Sequence, residues 1–383
     1  MKKIIKIILF STLTFLISVG CVFAVEKIKI GLLVPLTGKN FEVGQSIIKS
    51  TRIAINKINN SSIEIIPRDT KSNPTDTLRA AKELGELGIK IIIGPVFNEN
   101  QTYLDELKKI TFISLTNKSD NNSKNIINAG INATSQLNGI KKFIELNEIK
   151  KTIFLTPDVD YKNEIKKAIV LSKIKILSNY IYKTDPTKLT KQIEEITNYK
   201  QRKQNLKDEI VRLEKSNQNN KEKLIEKLKK RHTLGGVKFD SIIIADFDES
   251  LKSVTTSLLY TDISPKKKYF ITLNQWFDKS LLGEASSQPL YFPSINKKNY
   301  EDFSLEYFNK FNQHPNQLSF LSYDLVGLVY YLILQNNLIV DEKIFTKKNL
   351  FKGKVGVFEI KNNKINHILN FYKIENGEFK KIF

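Results

Sequence analysis

Side chains that bind metals or take part in redox chemistry are scarce in this chain of 383 residues. There is one Cys, Cys21, and the three His stand at positions 232, 314 and 367. A single Cys can form neither an intramolecular disulfide nor a cysteine-based zinc site. Because the His are also far apart in the sequence, we predict no metal site and no cofactor.

Short motifs of common catalytic sites are absent as well. The sequence contains no G-x-S-x-G, H-E-x-x-H, G-x-x-x-x-G-K-[ST] or G-x-G-x-x-G pattern, so the usual signatures of serine hydrolases, zinc proteases and nucleotide-binding loops are missing. Carboxylate pairs do occur, at Asp158/Asp160 and Asp246/Asp248. Such pairs can perform acid–base chemistry, but after a strand they more often cap a helix or bind a ligand. We therefore predict that the protein is not an enzyme.

Residues 1–24 resemble a secretory signal peptide. Three Lys precede an apolar run over 7–19, which is too short to span about 30 Å of hydrocarbon. Val22 and Ala24, which are slim or small, stand three and one residues before a cleavage point after Ala24. We predict a cleaved signal and a periplasmic protein. Two alternatives stay open: an uncleaved N-terminal anchor, and lipid attachment at Cys21, since 18–21 is similar to a bacterial lipobox without its usual Leu.

Positive charge is in excess throughout the chain. Lys and Arg number 61 and Asp and Glu 40, which gives a formal charge of +21; loss of the three signal-peptide Lys leaves 21 − 3 = +18. No Arg-rich cluster with interleaved aromatic residues occurs, so we predict no nucleic-acid partner. Attraction to an anionic cell wall or membrane surface stays open.

Strand-like and helix-like segments alternate along the chain. The apolar run over 27–33 predicts a buried parallel strand. Asn73-Pro74 predicts the N-cap and first residue of a helix. The alternation restarts near residue 152, and hairpin signals stand at 362–363 and 376–377. This pattern predicts two α/β units, each with a parallel sheet.

Residues 186–235 interrupt the alternation. The segment is rich in Lys, Glu, Gln and Leu, and its apolar residues fall at heptad spacing before a polar break at 217–220. Between 183 and 234 the charge is 15 − 8 = +7. We predict a helical hairpin, paired as a short coiled coil, that projects from the second unit. Two roles stay open: a docking arm for a partner, or a solvated insertion that packs on itself.

Polar loops follow the predicted strands in both halves of the chain. Because ligand sites of parallel sheets lie beyond the carboxyl ends of the strands, we expect these loops to form a ligand site. The candidate ligand-binding residues of the first half are Asn98, Glu99, Asn100, Thr116 and Asn117. Those of the second half are Tyr161, Asp246, Phe247, Asn274 and Trp276. Trp276, the only Trp, either stacks on a ring or sugar of the ligand or packs in the core or between the two units.

Several segments together resemble the type 1 periplasmic binding proteins, the leucine-binding protein family. They are KIGLLVPLTG at 29–38, GIKIIIGPVFNENQ at 88–101 and FISLTN at 112–117. Within that family, FDSIIIADFDESL at 239–251 and LSYDLVGLVYYLI at 321–333 resemble the penicillin-binding protein activator branch. A helical insertion before the first of these two segments also recurs in that branch.

The resemblance implies an α/β fold of two Rossmann-like lobes. The lobes are joined by a three-crossover hinge and close on a ligand by bending of that hinge. It implies an N-terminal lobe made of 25–138 and 294–340, and a C-terminal lobe made of 139–293 and 341–383. The helical hairpin at 186–235 is an insertion within the C-terminal lobe.

The resemblance also bears on the ligand. In the leucine-binding branch a Ser-rich loop after the third strand holds the substrate carboxylate, whereas 98–100 contains no Ser. An acidic residue that grips the ammonium group is expected near Asn274, where an amide stands. Neutral amides bind a zwitterion more weakly than charged partners do, so a branched-chain amino acid is not the expected ligand.

Two functions are compatible with these features. The first is a non-enzymatic periplasmic regulator of peptidoglycan synthesis, similar to the penicillin-binding protein activators, whose partner is a peptidoglycan synthase. The alternative is the substrate-binding protein of an ABC importer for an amino acid or another small polar solute, whose partner is the permease.

Overall fold

The computed structural model describes residues 27–60, 62–118 and 123–383. The predicted signal peptide and Cys21 lie outside the described residues, so cleavage and lipid attachment both stay predictions.

The first half of the chain forms a five-stranded parallel sheet in the order β2-β1-β3-β4-β5. Its first strand is the predicted apolar run, and every residue of that strand except Lys29 is buried. Burial on both faces is what a parallel strand between two helical layers requires. The strands are β1 (Ile28–Val34), β2 (Ile63–Asp69), β3 (Ile91–Ile93), β4 (Thr111–Ser114) and β5 (Ile126–Asn128).

Two helices connect the first three strands, α1 (Phe41–Ile58) and α2 (Pro74–Glu86). The predicted start of α2 is confirmed. The side chain of Asn73 accepts hydrogen bonds from the N–H groups of Thr75 and Asp76, and Pro74 occupies the first turn. Both devices satisfy or remove N–H groups that have no partner within the helix.

The second sheet has seven strands in the order β15-β14-β10-β9-β8-β6-β7. Five of its strands are parallel: β6, β7, β8, β9 and β10. The last two strands along the chain, β14 and β15, are added antiparallel at the β10 edge. The strands are β6 (Thr152–Pro157), β7 (Ser178–Tyr182), β8 (Ser241–Ile244), β9 (Tyr269–Thr272), β10 (Leu290–Ser294), β14 (Asn370–Glu375) and β15 (Glu378–Lys381). Its helices are α3 (Ala133–Leu146), α4 (Lys162–Ser172), α5 (Pro186–Ile196), α6 (Tyr199–Glu214), α7 (Lys221–Lys229) and α8 (Asp248–Tyr260).

The chain passes between the two sheets three times. It crosses after β5, returns after β10 into α9 (Lys297–Phe311) and α10 (Gln317–Gln335), and crosses again to reach β14. On the last passage it forms an antiparallel sheet of β11 (Asn349–Lys352), β12 (Val357–Lys361) and β13 (Lys364–Ile368). This confirms the predicted fold of two α/β lobes with three crossovers. The predicted lobe boundaries stay a prediction.

We call the five-stranded sheet with α1, α2, α9 and α10 the first lobe, and the seven-stranded sheet with α3 to α8 the second lobe. Both predicted hairpin turns are present. Asn362 and Asn363 have φ angles of 51° and 57° between β12 and β13, and Asn376 and Gly377 have 55° and 72° between β14 and β15. Asn and Gly adopt this left-handed conformation at low cost, which suits a two-residue hairpin loop.

Among the described helices, α10 is the one long and apolar enough to cross a membrane by length and composition. In the fold it is a core helix, since Phe320, Leu325 and Leu328 are fully buried. It packs along α1, where the hydroxyl of Ser46 lies 2.5 Å from the hydroxyl of Ser319. Its apolar composition therefore reflects burial within the first lobe.

Two buried polar side chains fix the crossovers. The Nε2–H of His367 in β13 donates to the carbonyl of Ala129 (2.8 Å), and the backbone N–H of His367 donates to Oγ of Ser135 (3.0 Å). The carboxyl of Asp324 in α10 accepts from the N–H groups of Lys354 (2.7 Å) and Val355 (2.6 Å). These contacts join segments that are far apart in the sequence. They hold the last crossover against the first crossover and against α10.

The 186–235 insertion differs from the predicted single hairpin. Its first helix, α5, packs on α8 and fully buries Leu189 and Ile193, so it belongs to the second lobe. The chain then turns at Asn198, whose φ of 50° ends the heptad pattern predicted to run from α5 into α6. Only α6 and α7 pair as a hairpin, and α7 has no buried residue. We call α6 and α7, residues 199–229, the arm.

Candidate functional site

A cleft of about 730 Å³ lies between the two lobes, at the carboxyl ends of their parallel strands. Loops that follow β3, β4, β8 and β9 line it, together with the first crossover and the start of α10. Open α/β sheets bind their ligands at this edge because the connecting loops converge there. The cleft is therefore the candidate ligand site.

The first-lobe wall of the cleft is built from the loops after β3 and β4. Asn98 and Glu99 are exposed in a short 3-10 helix, and Thr116 is buried beside the exposed Asn117. Gly130 approaches this wall so closely that a Cβ there would lie 2.5 Å from the carbonyl oxygen of Thr116. Any larger residue would displace the first crossover from the cleft, so glycine is required at that position.

The second-lobe wall centres on Asn274. Its side-chain Oδ1 accepts from the backbone N–H of Trp276 (3.0 Å) and from Oγ of Ser294 (2.7 Å). The backbone N–H of Asn274 donates to Oε1 of Gln136 (2.9 Å). These bonds fix the orientation of the side-chain amide. Its Nδ2 is buried and has no hydrogen-bond partner in the described part of the chain. A buried donor without a partner costs stability, so this group is suited to bind a ligand acceptor.

Trp276 lies at the rim of the cleft in an unusual backbone conformation. Trp276 and Phe277 have consecutive φ angles of 47° and 57°, which side chains of this size rarely adopt. Edge-to-face contacts hold the Phe277 ring against Phe292, Tyr372 and Phe379, with centroids 5.0 to 6.0 Å apart. This packing keeps the strained turn in place, and the strained turn presents the half-buried indole to the cleft.

The charges that line the cleft are mainly negative. Among the described residues of the lining, Glu99, Asp248 and Asp278 oppose Lys118, a balance of −2 in a chain whose formal charge is +21. Asp278 accepts from the N–H (2.9 Å) and Oγ (2.7 Å) of Ser280. Among the residues that the structure describes, Glu99 and Asp248 form no ion pair. The cleft therefore disfavours an anionic group of a ligand.

The structure brings seven of the ten predicted site residues to the cleft, and three lie elsewhere. Asn100 is buried beneath the first-lobe wall. Asp246 accepts from the hydroxyls of Tyr182 and Ser250 and from the N–H of Phe247, so its carboxylate holds the loop after β8 rather than facing the cleft. Tyr161 donates to the carbonyl of Ala245 (3.3 Å) behind that loop. The residues at the cleft are Asn98, Glu99, Thr116, Asn117, Phe247, Asn274 and Trp276.

The hydroxyls around Asp246 are held in their neutral form. Burial raises the pKa of Tyr182, and the neighbouring Asp246 carboxylate raises it further. The pKa of Tyr161 is raised by the same two causes. Both phenols therefore remain hydrogen-bond donors to the loop at any physiological pH, which makes this cluster a support for the second-lobe wall.

Sequence reasoning missed several residues of the cleft. Three of them lie near the starts of helices: Gln136 in α3, and Gln317 and Leu321 in α10. A search for polar residues directly after strands could not select them. The described residues contain no group of three or more His, Cys, Asp or Glu that could hold a metal ion.

The chain has the two-lobed α/β fold of the type 1 periplasmic binding proteins. Residues 27–193 match the family model described as "Periplasmic binding protein". This match, together with the fold, confirms the predicted resemblance to the type 1 periplasmic binding proteins. A search of curated proteins by sequence gives no match.

Solved structures agree with the fold over 93% of the chain at low sequence identity. A putative branched-chain amino acid ABC transporter protein from Rhodospirillum rubrum aligns with a TM-score of 0.69, 12% identity and 100% of its chain covered. The C-domain of LpoA from Haemophilus influenzae, a regulator of PBP1A, aligns with 0.62, 13% and 100%. The leucine-binding protein LivK from Thermotoga maritima aligns with 0.55, 14% and 98%. The fold is thus shared by solute-binding proteins and by a regulator.

Proposed function

We propose that this protein is a non-enzymatic, exported regulator of peptidoglycan synthesis that acts on a peptidoglycan synthase. The observation that carries the proposal is the charge of the cleft, where Glu99 stands on the wall at which a leucine-type ligand would place its carboxylate. A carboxylate beside Glu99 would meet a like charge, with Lys118 as the single cation among the described residues of the lining. Binding of an amino-acid carboxylate at this wall is therefore disfavoured.

The arm supports an action through protein contacts. It extends from the second lobe, carries an excess of basic residues, and leaves all of α7 accessible. A helical hairpin of this kind offers a large surface to a partner without disturbing the cleft. LpoA, whose C-domain shares the fold, is a regulator of PBP1A.

The test is a reconstituted synthesis reaction. The mature chain from residue 25 is added to a bifunctional peptidoglycan synthase of the same organism, and cross-linking of a lipid-linked precursor is followed over time. We expect the cross-linking rate to rise several-fold with the full chain and to return to its basal value when 207–228 is replaced by a short Gly/Ser linker. Asn274→Leu in the cleft is the control and should leave the stimulation unchanged. An unchanged rate at a saturating amount of the full chain would refute this function.

An importer component is the second candidate, and the unpartnered Nδ2 of Asn274 favours it. A donor of this kind next to Trp276 and Phe247 could hold a small polar solute within the 730 Å³ cleft. A thermal-shift screen of polar solutes tests this, since a ligand at 100 times its Kd stabilises by about 2.7 kcal/mol. A hit that Asn274→Leu abolishes would support the importer role, whereas leucine should give no shift in either case.

Export belongs to the same proposal. Mass spectrometry of the exported protein should show an N-terminus at Val25. A diacylated Cys21 would instead establish a lipoprotein, anchored to the membrane by its N-terminus.

A further inference from the structure

A second cavity, of about 460 Å³, lies at the base of the arm on the second lobe. Two basic segments meet there although they are more than 30 residues apart in the sequence. Lys230 and Arg231 follow the end of α7, and Lys267 and Lys268 precede β9. We call this cavity the basal pocket.

The basal pocket is far more basic than the chain as a whole. Five of its 13 lining residues are Lys or Arg, compared with 61 of 383 in the chain, and one is acidic. Part of this enrichment is shared with other surface cavities, because the cavity lined by Lys82, Lys90, Lys108 and Lys109 beside Glu86 and Glu106 has a balance of 4 − 2 = +2; the basal pocket exceeds it. A local formal charge of 5 − 1 = +4 surrounds the cavity.

Arg202 forms the floor of the pocket and is almost fully buried. Its guanidinium donates to the carbonyl of Thr261 (3.0 Å) and to Oγ1 of Thr233 (2.7 Å), and Nη2 lies 3.7 Å from a carboxylate oxygen of Asp262. The same carboxylate accepts from Thr233 (2.5 Å). The single acid of the pocket is thus already engaged, because it serves the buried guanidinium beneath the pocket.

The cations at the rim are free to bind a ligand. Lys230, Arg231 and Lys267 are exposed, and none of them pairs with a carboxylate within the described ranges. The neighbouring Gly235 has a φ of 102°, and a Cβ added to Gly236 would meet nothing within 4 Å, so the main chain here is open to the cavity. Arg and Lys side chains beside an open glycine loop are a recurrent arrangement at anion sites.

We propose that the basal pocket binds a phosphate group, either of a soluble phosphate compound or of an anionic phospholipid headgroup. A phosphate group, whether free or esterified in a lipid headgroup, presents at least two unesterified oxygens in a tetrahedral arrangement, which can accept bonds from Arg231 and from Lys side chains on different sides of the pocket. The pocket is separate from the cleft, so the inference does not depend on which ligand the cleft takes.

The test measures binding of two probes to the mature chain. Calorimetry with inorganic pyrophosphate tests the soluble source, and flotation with vesicles of phosphatidylglycerol, compared with phosphatidylcholine alone, tests the lipid source. The variant combines Lys230→Gln, Arg231→Gln and Lys267→Gln. The control combines Lys82→Gln, Lys108→Gln and Lys109→Gln, which removes the same charge from exposed positions of the first lobe.

We expect the pocket variant to weaken binding by about tenfold or more and the control to change it by less than about twofold. Binding should also weaken as salt is raised, because the cations are exposed. Binding of pyrophosphate or of anionic vesicles with this variant pattern supports the proposal and identifies the source. Absence of binding to both probes, or equal weakening by variant and control, overturns it. A lower melting temperature of the pocket variant with unchanged binding also overturns it, since the cations would then serve only the end of α7.

Discussion

Asp324 and His367 should make stability depend on pH in opposite directions, which can be measured with two variants. Burial raises the pKa of Asp324 to about 7 from an ordinary value of 3.8, although its two backbone N–H partners oppose the shift. Burial lowers the pKa of His367 to about 4 from 6.5, against the opposing effect of its bond to Ala129. Each group thus binds protons differently in the folded and unfolded chain.

The sign follows from which state binds the proton. Between pH 4 and 7 the folded chain holds a proton on Asp324 that the unfolded chain has lost, so this group makes stability fall as pH rises. Between pH 4 and 6.5 the unfolded chain holds a proton on His367 that the folded chain lacks, so this group makes stability rise with pH. Over these pH ranges the two effects each amount to about a few kcal/mol.

The assay is urea unfolding at several pH values between 4.5 and 6.5. The unfolding free energy of Asp324→Asn minus that of the unsubstituted protein should increase by about 1.4 kcal/mol per pH unit. The same difference for His367→Asn should decrease by a similar amount per unit. Each difference cancels the titration of all other groups, so the two slopes isolate the two side chains. Parallel profiles for the three proteins would refute the reasoning.

Two further predictions concern the crossover and the arm. Gly130→Ala should destabilise the protein by about 1 to 3 kcal/mol, because its Cβ would lie 2.5 Å from the carbonyl oxygen of Thr116; urea unfolding measures the loss, and a neutral effect would mean that the cleft wall yields. Arg202→Ala should lower the unfolding free energy by about 2 kcal/mol, because it leaves Asp262 and buried carbonyls without their donor. Replacing 207–228 by a Gly/Ser linker should change the unfolding free energy of the lobes by less than about 1 kcal/mol. Equal losses for these last two changes would place the distal arm in the core.

Local signals account for the parts of the fold that were predicted correctly. The run over 27–33 is apolar because both faces of the strand are buried, and Asn73-Pro74 starts a helix through bonds to the next few residues. The Asn pair at 362–363 forms a turn through its own φ angles. Each of these outcomes depends on fewer than ten neighbouring residues, which is why the sequence pattern was sufficient.

The details of the cleft depend on distant residues and could not be read in that way. Asp246 and Phe247 both follow β8, and both were predicted as site residues because they stand directly after a strand. The structure turns Phe247 to the cleft and Asp246 away from it, because the hydroxyls of Tyr182 and Ser250 bind the carboxylate. Tyr182 lies 64 residues before Asp246 in the chain. Position after a strand therefore indicates the edge of the sheet but not the direction of an individual side chain.

The net charge of the sequence likewise does not show where in the fold the charges lie. A formal charge of +21 suggests attraction to anions but does not say where on the molecule it acts. The fold assembles −2 around the cleft and +4 around the basal pocket, within a single chain. Since charges are screened beyond roughly 8 Å at physiological salt, a ligand responds to these local sums rather than to the total. We therefore expect an anion to favour the base of the arm over the cleft, which is the physical reason to propose different ligands for the two sites.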